Sequence, residues 1–308
     1  MIRNIFQRLG LLLFCIYLAV FPGSTIVVAL DRVPSWGTWM GGALLLLQGS
    51  AALCWLVGWQ GARGGLVALL VFGLAWAVEH VGVTTGMPFG RYRYTEVLQP
   101  QLFGIVPLAI PCAWLMVATG AWQIAAANCQ RPTNGDRALP TVVGHRSSVV
   151  VAATLVLLLD LQIETVATKI NQYWIWLDGG RYYGVPAANF VAWWLVGLAM
   201  ALVVTMVLGR RGDGETGRQE TGALISRFAC RVSRVASHIS HRLPVYLYTL
   251  STLMFTIVNL ARGYTIAGLV GVLALLVVAG TTRSSRAKKL LNAEMQRRRE
   301  RERKGVEI

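Results

Sequence analysis

The chain has 308 residues, 55% of them hydrophobic and 14% charged, with a formal net charge of +15. Soluble domains are about 25% charged, and here apolar runs recur near the ~20 residues that cross a bilayer, so a soluble globular fold is excluded. Hydrocarbon offers no partners to an open sheet edge, and the composition predicts an all-α, polytopic transmembrane helical bundle.

Eight spans are expected in chain order, at 9–30, 38–58, 64–82, 104–127, 147–165, 187–209, 243–261 and 264–281. Residues 1–282 form one transmembrane helical domain, and 283–308 form a basic cytoplasmic tail. The first run, "MIRNIFQRLGLLLFCIYLAV", has the charge and apolar stretch of a signal peptide. No small-x-small cleavage site follows it, so it reads as the first span. Pro22-Gly23 within it predicts a kink. The last two spans divide at Arg262-Gly263.

Charge sets the expected orientation. Arg32, Arg91, Arg93, Lys169, Arg181 and Arg262 fall in odd-numbered loops; every other Lys and Arg falls in the tails or the even-numbered loops. The positive-inside rule then predicts an integral, multi-pass membrane protein with both termini cytoplasmic. This bias accounts for most of the basic balance, and nucleic-acid binding is not needed to explain it. In the sixth loop, "LISRFACRVSRVASHISHRL" spaces Ile225, Phe228, Val232, Val235 and Ile239 as a basic amphipathic helix. It suits an anionic membrane surface, so membrane lipids are expected partners. His238 and His241 stand at helical spacing, but no carboxylate or Cys is near enough in sequence to complete a metal site.

Three of the fourteen acids fall inside apolar runs: Glu79 in "AWAVEHVGV", and Asp160 and Glu164 in "LVLLLDLQIETV". A spacing of four puts the latter two on one helical face. A carboxylate in a bilayer costs several kcal/mol (roughly 3 on insertion scales) unless it faces a partner or a polar cavity. Two readings stand side by side: the acids tie helices together by pairing with Arg91, Arg181 or Lys169, or they are held there for chemistry. With the N-terminus inside, the third and fifth spans run outward together, so all three acids lie towards the same end.

The loops after those spans resemble each other. "FGRYRYTEVLQPQLFGIVPLAIPCAWLM" and "GGRYYGVPAANFVAWWLV" each contain Gly-Arg-Tyr (Gly90-Arg91-Tyr92; Gly180-Arg181-Tyr182), then Gly, Val and Pro, then Trp seven residues after that Pro (Trp114; Trp193). This is a weak internal duplication of spans 3-4 and 5-6, whose halves would face each other across one pocket. Tyr173, Trp174, Trp176, Tyr182 and Tyr183 crowd the second loop. They fit an interfacial aromatic belt and also re-entrant backbone lining a lipophilic pocket.

Several chemistries lack their residues. Four scattered His cannot form a di-iron cluster, and five isolated Cys without a CxxC indicate neither zinc nor a disulfide framework. No dinucleotide or P-loop fingerprint is present. Asp160-x-x-x-Glu164 is the nearest approach to the paired Asp-rich magnesium motifs of a prenyltransferase, and it has no second copy. Acid–base chemistry on an apolar substrate remains, or transport.

"EHVGVTTGMPFGRYRYT", "FGIVPLAIPCAWLM" and "WIWLDGGRYYGVPAANFVAWW" resemble the integral-membrane carotenoid hydratases of the CruF type, over roughly Trp76 to Trp194. The resemblance implies addition of water to the terminal double bond of an acyclic carotenoid end group, giving a tertiary alcohol. The implied partners are a lipophilic carotenoid and other carotenoid-pathway enzymes. The residues suit that reaction. A carboxyl group kept neutral by burial can protonate an alkene, a second carboxylate can deprotonate water, and aromatic faces can stabilise the intervening cation. No cofactor and no metal are called for. Glu79, Asp160 and Glu164 are the expected acid–base residues. Arg91, Tyr92, Tyr94, Trp176, Arg181, Tyr182 and Asn189 are the expected substrate-binding set, in which the arginines hold a carboxylate charged and Asn189 positions water. A carotenoid cyclase or isomerase, which also begins by protonating a double bond, and a proton-coupled transporter are the competing readings.

Overall fold

A computed structural model describes residues 2–128, 142–208 and 237–281. It is a helical bundle, with α1 (Ile2–Ala29), α2 (Met40–Gln60), α3 (Ala62–Thr85), α4 (Ala109–Asn128), α5 (Val142–Thr165), α6 (Ala187–Leu208) and α7 (Leu243–Ala261). These seven are long and apolar enough to cross a membrane. The eighth expected span is present as a shorter apolar helix, α8 (Thr265–Thr281). Most of the basic amphipathic segment in the sixth loop and the whole 283–308 tail lie outside the described residues.

Small residues let the helices approach closely, the usual basis of packing in lipid. A Cβ at Gly49 of α2 would meet Cys112 of α4 at 2.5 Å, and one at Gly197 of α6 would meet Val156 of α5 at 3.0 Å. Gly120 of α4 similarly admits Tyr248 of α7. α3, α4, α5 and α6 form a ring, each touching the next and α6 returning to α3, while α1, α2 and α7 flank it. At Arg262-Gly263 the chain turns back, as the sequence predicts. Leu260 meets Gly268 and Thr256 meets Gly271, so α7 and α8 run antiparallel. Pro22 lies inside a continuous α1.

Two helix ends position the loops of the site. α3 stops at Gly86, whose left-handed φ of 79° lets its N–H bond the Gly82 carbonyl. α5 leaves its regular ladder one residue after Glu164, in a π-helical turn at Val166–Ile170, a device that often marks functional sites. Beyond these ends the two similar loops meet as strands. β1 (Tyr92–Tyr94) pairs antiparallel with β4 (Trp174–Trp176), with Tyr92 opposite Trp176 and Tyr94 opposite Trp174. Hydrogen bonds from Thr95 N–H to the Tyr173 carbonyl and from Leu177 N–H to the Arg91 carbonyl extend the ladder. A second ribbon, β2 (Gln101–Leu102) with β3 (Val106–Pro107), leads into α4. This pairing departs from the purely helical expectation. The ribbon is tolerated because it lies beyond the helix ends, where its backbone groups find one another and water.

Candidate active site

Alternation along the ribbon carries the site, since successive strand residues point to opposite faces. On each strand the first and third side chains turn inwards, and the middle ones, Arg93 and Ile175, are exposed. The inward residues are hydrogen-bond donors aimed at acids on the helices below. Tyr92 Oη and Tyr94 Oη donate to Glu79 Oε2 at 2.6 and 2.7 Å. Trp174 Nε1 and Trp176 Nε1 donate to Glu164 Oε2 at 3.3 and 2.9 Å. Each strand therefore holds the carboxyl of the helix that precedes it. The other oxygens are held by the helices that come after. Trp114 Nε1 of α4 donates to Glu79 Oε1 at 3.0 Å, and Asn189 Nδ2 of α6 to Glu164 Oε1 at 2.9 Å. The same Asn189 amide reaches Asp160 Oδ2 at 3.1 Å. Asp160 is fully buried, and its Oδ1 has no partner.

The sequence supplies the space for this arrangement. Gly82 lies one turn beyond Glu79, and a Cβ there would come within 2.9 Å of Tyr92 Oη and 2.7 Å of the Phe89 ring. Only a residue without a side chain lets Tyr92 reach the carboxyl. Burial and the neighbouring Glu79 carboxyl push both phenols above their ordinary range, so they remain donors at neutral pH.

Glu79, Glu164 and Asn189 open onto one cavity of about 110 Å³. Its walls are otherwise mainly apolar and aromatic, among them Phe89, Trp114, Trp176 and Trp193. Trp114 and Trp193, the residues matched in the two sequence copies, stack with ring centroids 3.9 Å apart. Of the expected residues, Glu79, Glu164, Tyr92, Tyr94, Trp176 and Asn189 line this cavity. Asp160 stands behind Asn189 and does not line it.

Arg91, Arg181 and Tyr182 also lie outside it. Arg91 is on the solvent side of the ribbon, where its Nη2 and Nε contact Asp178 Oδ1 at 2.7 and 2.9 Å and its N–H bonds Asp178 Oδ2 at 2.8 Å. It ties the two loops together and does not hold an intramembrane acid. Arg181 is exposed, and Tyr182 Oη donates to the Leu161 carbonyl at 2.7 Å. The reason is register. One Gly-Arg-Tyr copy runs into β1, with Tyr92 as its first residue, and the other follows β4, so they are not equivalent in space. The equivalent pair is aromatic-x-aromatic, Tyr92-Arg93-Tyr94 and Trp174-Ile175-Trp176. Trp114, Trp174 and Trp193 are cavity residues that the expected substrate-binding set lacks, although the period-two aromatic pattern of the loops pointed to Trp174 and the matched copies to Trp114 and Trp193. Among the described residues, no group of three or more His, Cys, Asp or Glu is placed to hold a metal ion.

Comparison with known proteins adds the chemistry of relatives. Residues 40–278 match the family model described as carotenoid biosynthesis protein. Over 150 residues the chain is 30% identical to the bisanhydrobacterioruberin hydratase of Haloarcula japonica. That match covers 49% of this chain and 47% of the relative, so the chain spans about half the length of the curated relative it matches. No solved structure matches. The family model extends over the ribbon, all three acids of the apolar runs and most of the wall of the cavity that Glu79 and Glu164 face, and the chain belongs to the carotenoid biosynthesis protein family.

Proposed function

We propose that this protein is a carotenoid hydratase that adds water across the terminal double bond of an acyclic carotenoid end group. The observation that carries this reading is the pair of carboxyl groups, Glu79 and Glu164, fixed by aromatic donors on opposite strands of one ribbon and facing a single apolar cavity. The hydratase activity named for the relative matched over about half its length supports it.

In this mechanism the Asp160–Glu164 pair is the acid. Two carboxyl groups one helical turn apart that share the Asn189 amide hold a proton between them. Glu164, the member exposed to the cavity, delivers that proton to the less substituted alkene carbon. The π electrons form the new C–H bond and leave a tertiary cation at the neighbouring carbon. The stacked Trp114 and Trp193 and the Trp176 ring face the cavity and stabilise that charge. Glu79, like Glu164, accepts hydrogen bonds from three donors, but it has no second carboxyl one turn away, and so it is the one assigned as the charged base. It takes a proton from water as the water oxygen bonds to the cation. The sum is alkene plus water to tertiary alcohol, and Glu79 returns its proton to the Asp160–Glu164 pair through solvent before the next turnover.

The ribbon end of the bundle faces away from the cytoplasm in this reading, with both termini on the cytoplasmic side. The direct test is expression in a bacterium that makes acyclic carotenoids, followed by mass analysis of the pigment. Products heavier by one or two waters are expected. A cyclised or isomerised pigment of unchanged mass, or no change at all, would refute the hydratase reading.

A further inference from the structure

The acid cavity is not the whole of the internal space. A second chamber of about 420 Å³ lies between the end of α1 (Gly23, Ser24, Val27, Val28), the α1–α2 loop and the π turn of α5. The two chambers share Gly41, Leu44, Asn171, Tyr173 and Met254 as wall residues, so they adjoin. Tyr173 marks the junction. Its hydroxyl comes so near Gly41 that no side chain could stand at that position. Tyr173 is the residue just before β4, and it is buried and lines both chambers. One short segment thus supplies an acid-holding indole to the first chamber and a phenol to the wall between the two.

At about 110 Å³ the first chamber falls well short of the roughly 300–1,000 Å³ that houses a compact ligand, so it has room for an end group only, and the adjoining second chamber adds about 420 Å³. The α1 stripe facing it, Val27 and Val28 with Ser24 one turn earlier, is largely apolar, as are Val33, Pro34, Met40 and Ile170. Charge appears only with Asp31 and Arg32, both exposed. Asp31 is tied to Arg262 beyond α7 at 2.8 Å, which fixes the α1–α2 connection to the turn between α7 and α8.

We infer that this second chamber is the binding site for the conjugated chain of the substrate, which enters it as the Tyr173 side chain turns away from Gly41, while its end group lies between Glu79 and Glu164. The inference rests on the hydratase reading and deepens it. A conjugated polyene is straight and stiff and cannot coil inside the first chamber, so a carotenoid seated with its terminal double bond at the acids needs an apolar exit. The adjoining chamber supplies one, and Val27, Val28 and Tyr173 then set which chain lengths and end-group depths are accepted.

The test uses the full-length protein in lipid nanodiscs with lycopene as the probe, read by the visible circular dichroism that a bound polyene acquires. Wild type and the Glu79→Gln/Glu164→Gln double variant are expected to bind alike, with hydration lost only in the latter. Val27→Trp, which fills the chamber, is expected to weaken binding at least tenfold. Val191→Trp on the exposed face of α6 should leave binding unchanged. Val27→Cys, made with the native cysteines replaced, keeps the chamber open. Its labelling by an apolar maleimide should be blocked by lycopene, which tests the site even if Val27→Trp does not fold. Unchanged binding in Val27→Trp, labelling of Val27→Cys that lycopene does not affect, or no lycopene binding by wild type would overturn the inference. A chamber that houses only lipid acyl chains would give the first two results. Full hydration by the double variant would instead sink the acid–base reading while leaving the chamber assignment standing.

Discussion

At the scale of single residues, the two cavity acids differ in what holds them, and their variants should differ accordingly. General acid–base groups typically contribute about 100- to 10,000-fold. Glu79→Gln and Glu164→Gln should each lower hydration at least 100-fold, measured as hydrated pigment per amount of membrane protein. Asp160→Asn should cost less, because Asp160 reaches the cavity only through Asn189. Full activity in both glutamine variants would end the acid–base proposal. Removing one phenol deletes one hydrogen bond to a carboxyl, worth about 1.5–3 kcal/mol when that group is charged. Tyr94→Phe should therefore slow turnover by about tenfold or more without reducing the amount of protein in the membrane, because the ring and its packing stay.

At the scale of elements, the ribbon is the part whose integrity the site depends on. Gly82→Leu would leave α3 helical but place a side chain where Phe89 and Tyr92 now lie. The expected result is protein that accumulates in the membrane yet has lost most of its activity through displacement of Tyr92 from Glu79. The Arg91–Asp178 clamp acts on the same element from outside. The guanidinium of Arg91, and then its backbone N–H, hold the Asp178 carboxyl below the usual aspartate range. A group with a depressed folded value adds stability above its unfolded value and loses it only as pH falls through the folded one. The clamp is thus fully engaged at neutral pH and gives way only in acid below the ordinary aspartate range. It is exposed and, like most surface pairs, worth little. Arg91→Ala should accordingly reduce activity only a few-fold at neutral pH, a much smaller loss than either glutamine variant gives. A loss as large as that of Glu79→Gln would mean that Arg91 contacts substrate after all.

At the scale of the whole molecule, both loops of the ribbon must share one side of the membrane, because β1 and β4 are hydrogen-bonded to each other. Arg91→Cys and Arg181→Cys, in a background without native cysteines, should be labelled from the same side, and the charge bias puts that side opposite the N-terminus. Accessibility of the N-terminus from the ribbon side would overturn the orientation. Whether the C-terminus joins the N-terminus depends on α8. Seventeen residues rise about 26 Å at 1.5 Å each, close to the ~30 Å of hydrocarbon, and its antiparallel packing on α7 fits a crossing. The reaction as a whole also makes a prediction. Membranes given carotenoid in heavy-oxygen water without air should form labelled tertiary alcohol. A strict need for dioxygen would refute hydration.

The sequence alone determined that this is a bundle of membrane helices, and nearly where each one lies, because span length and apolar composition are local properties read directly by the bilayer. It also singled out Glu79, Asp160 and Glu164, since a carboxyl in an apolar run is conspicuous wherever it points. The similarity of the two loops was legible as well, but its spatial meaning was not. Gly-Arg-Tyr is the pattern that repeats most clearly in the string, and its second copy, with Arg181 and Tyr182, lies outside the cavity. The tertiary structure alone decided that Tyr92-x-Tyr94 meets Trp174-x-Trp176, that Arg91 belongs to Asp178, and that Asp160 stands behind Asn189. Each of these is a contact between segments dozens of residues apart. Strand register and helix rotation fix such contacts, and both are set by packing between elements, including the room left at Gly82 and Gly41, which no local pattern of residues encodes.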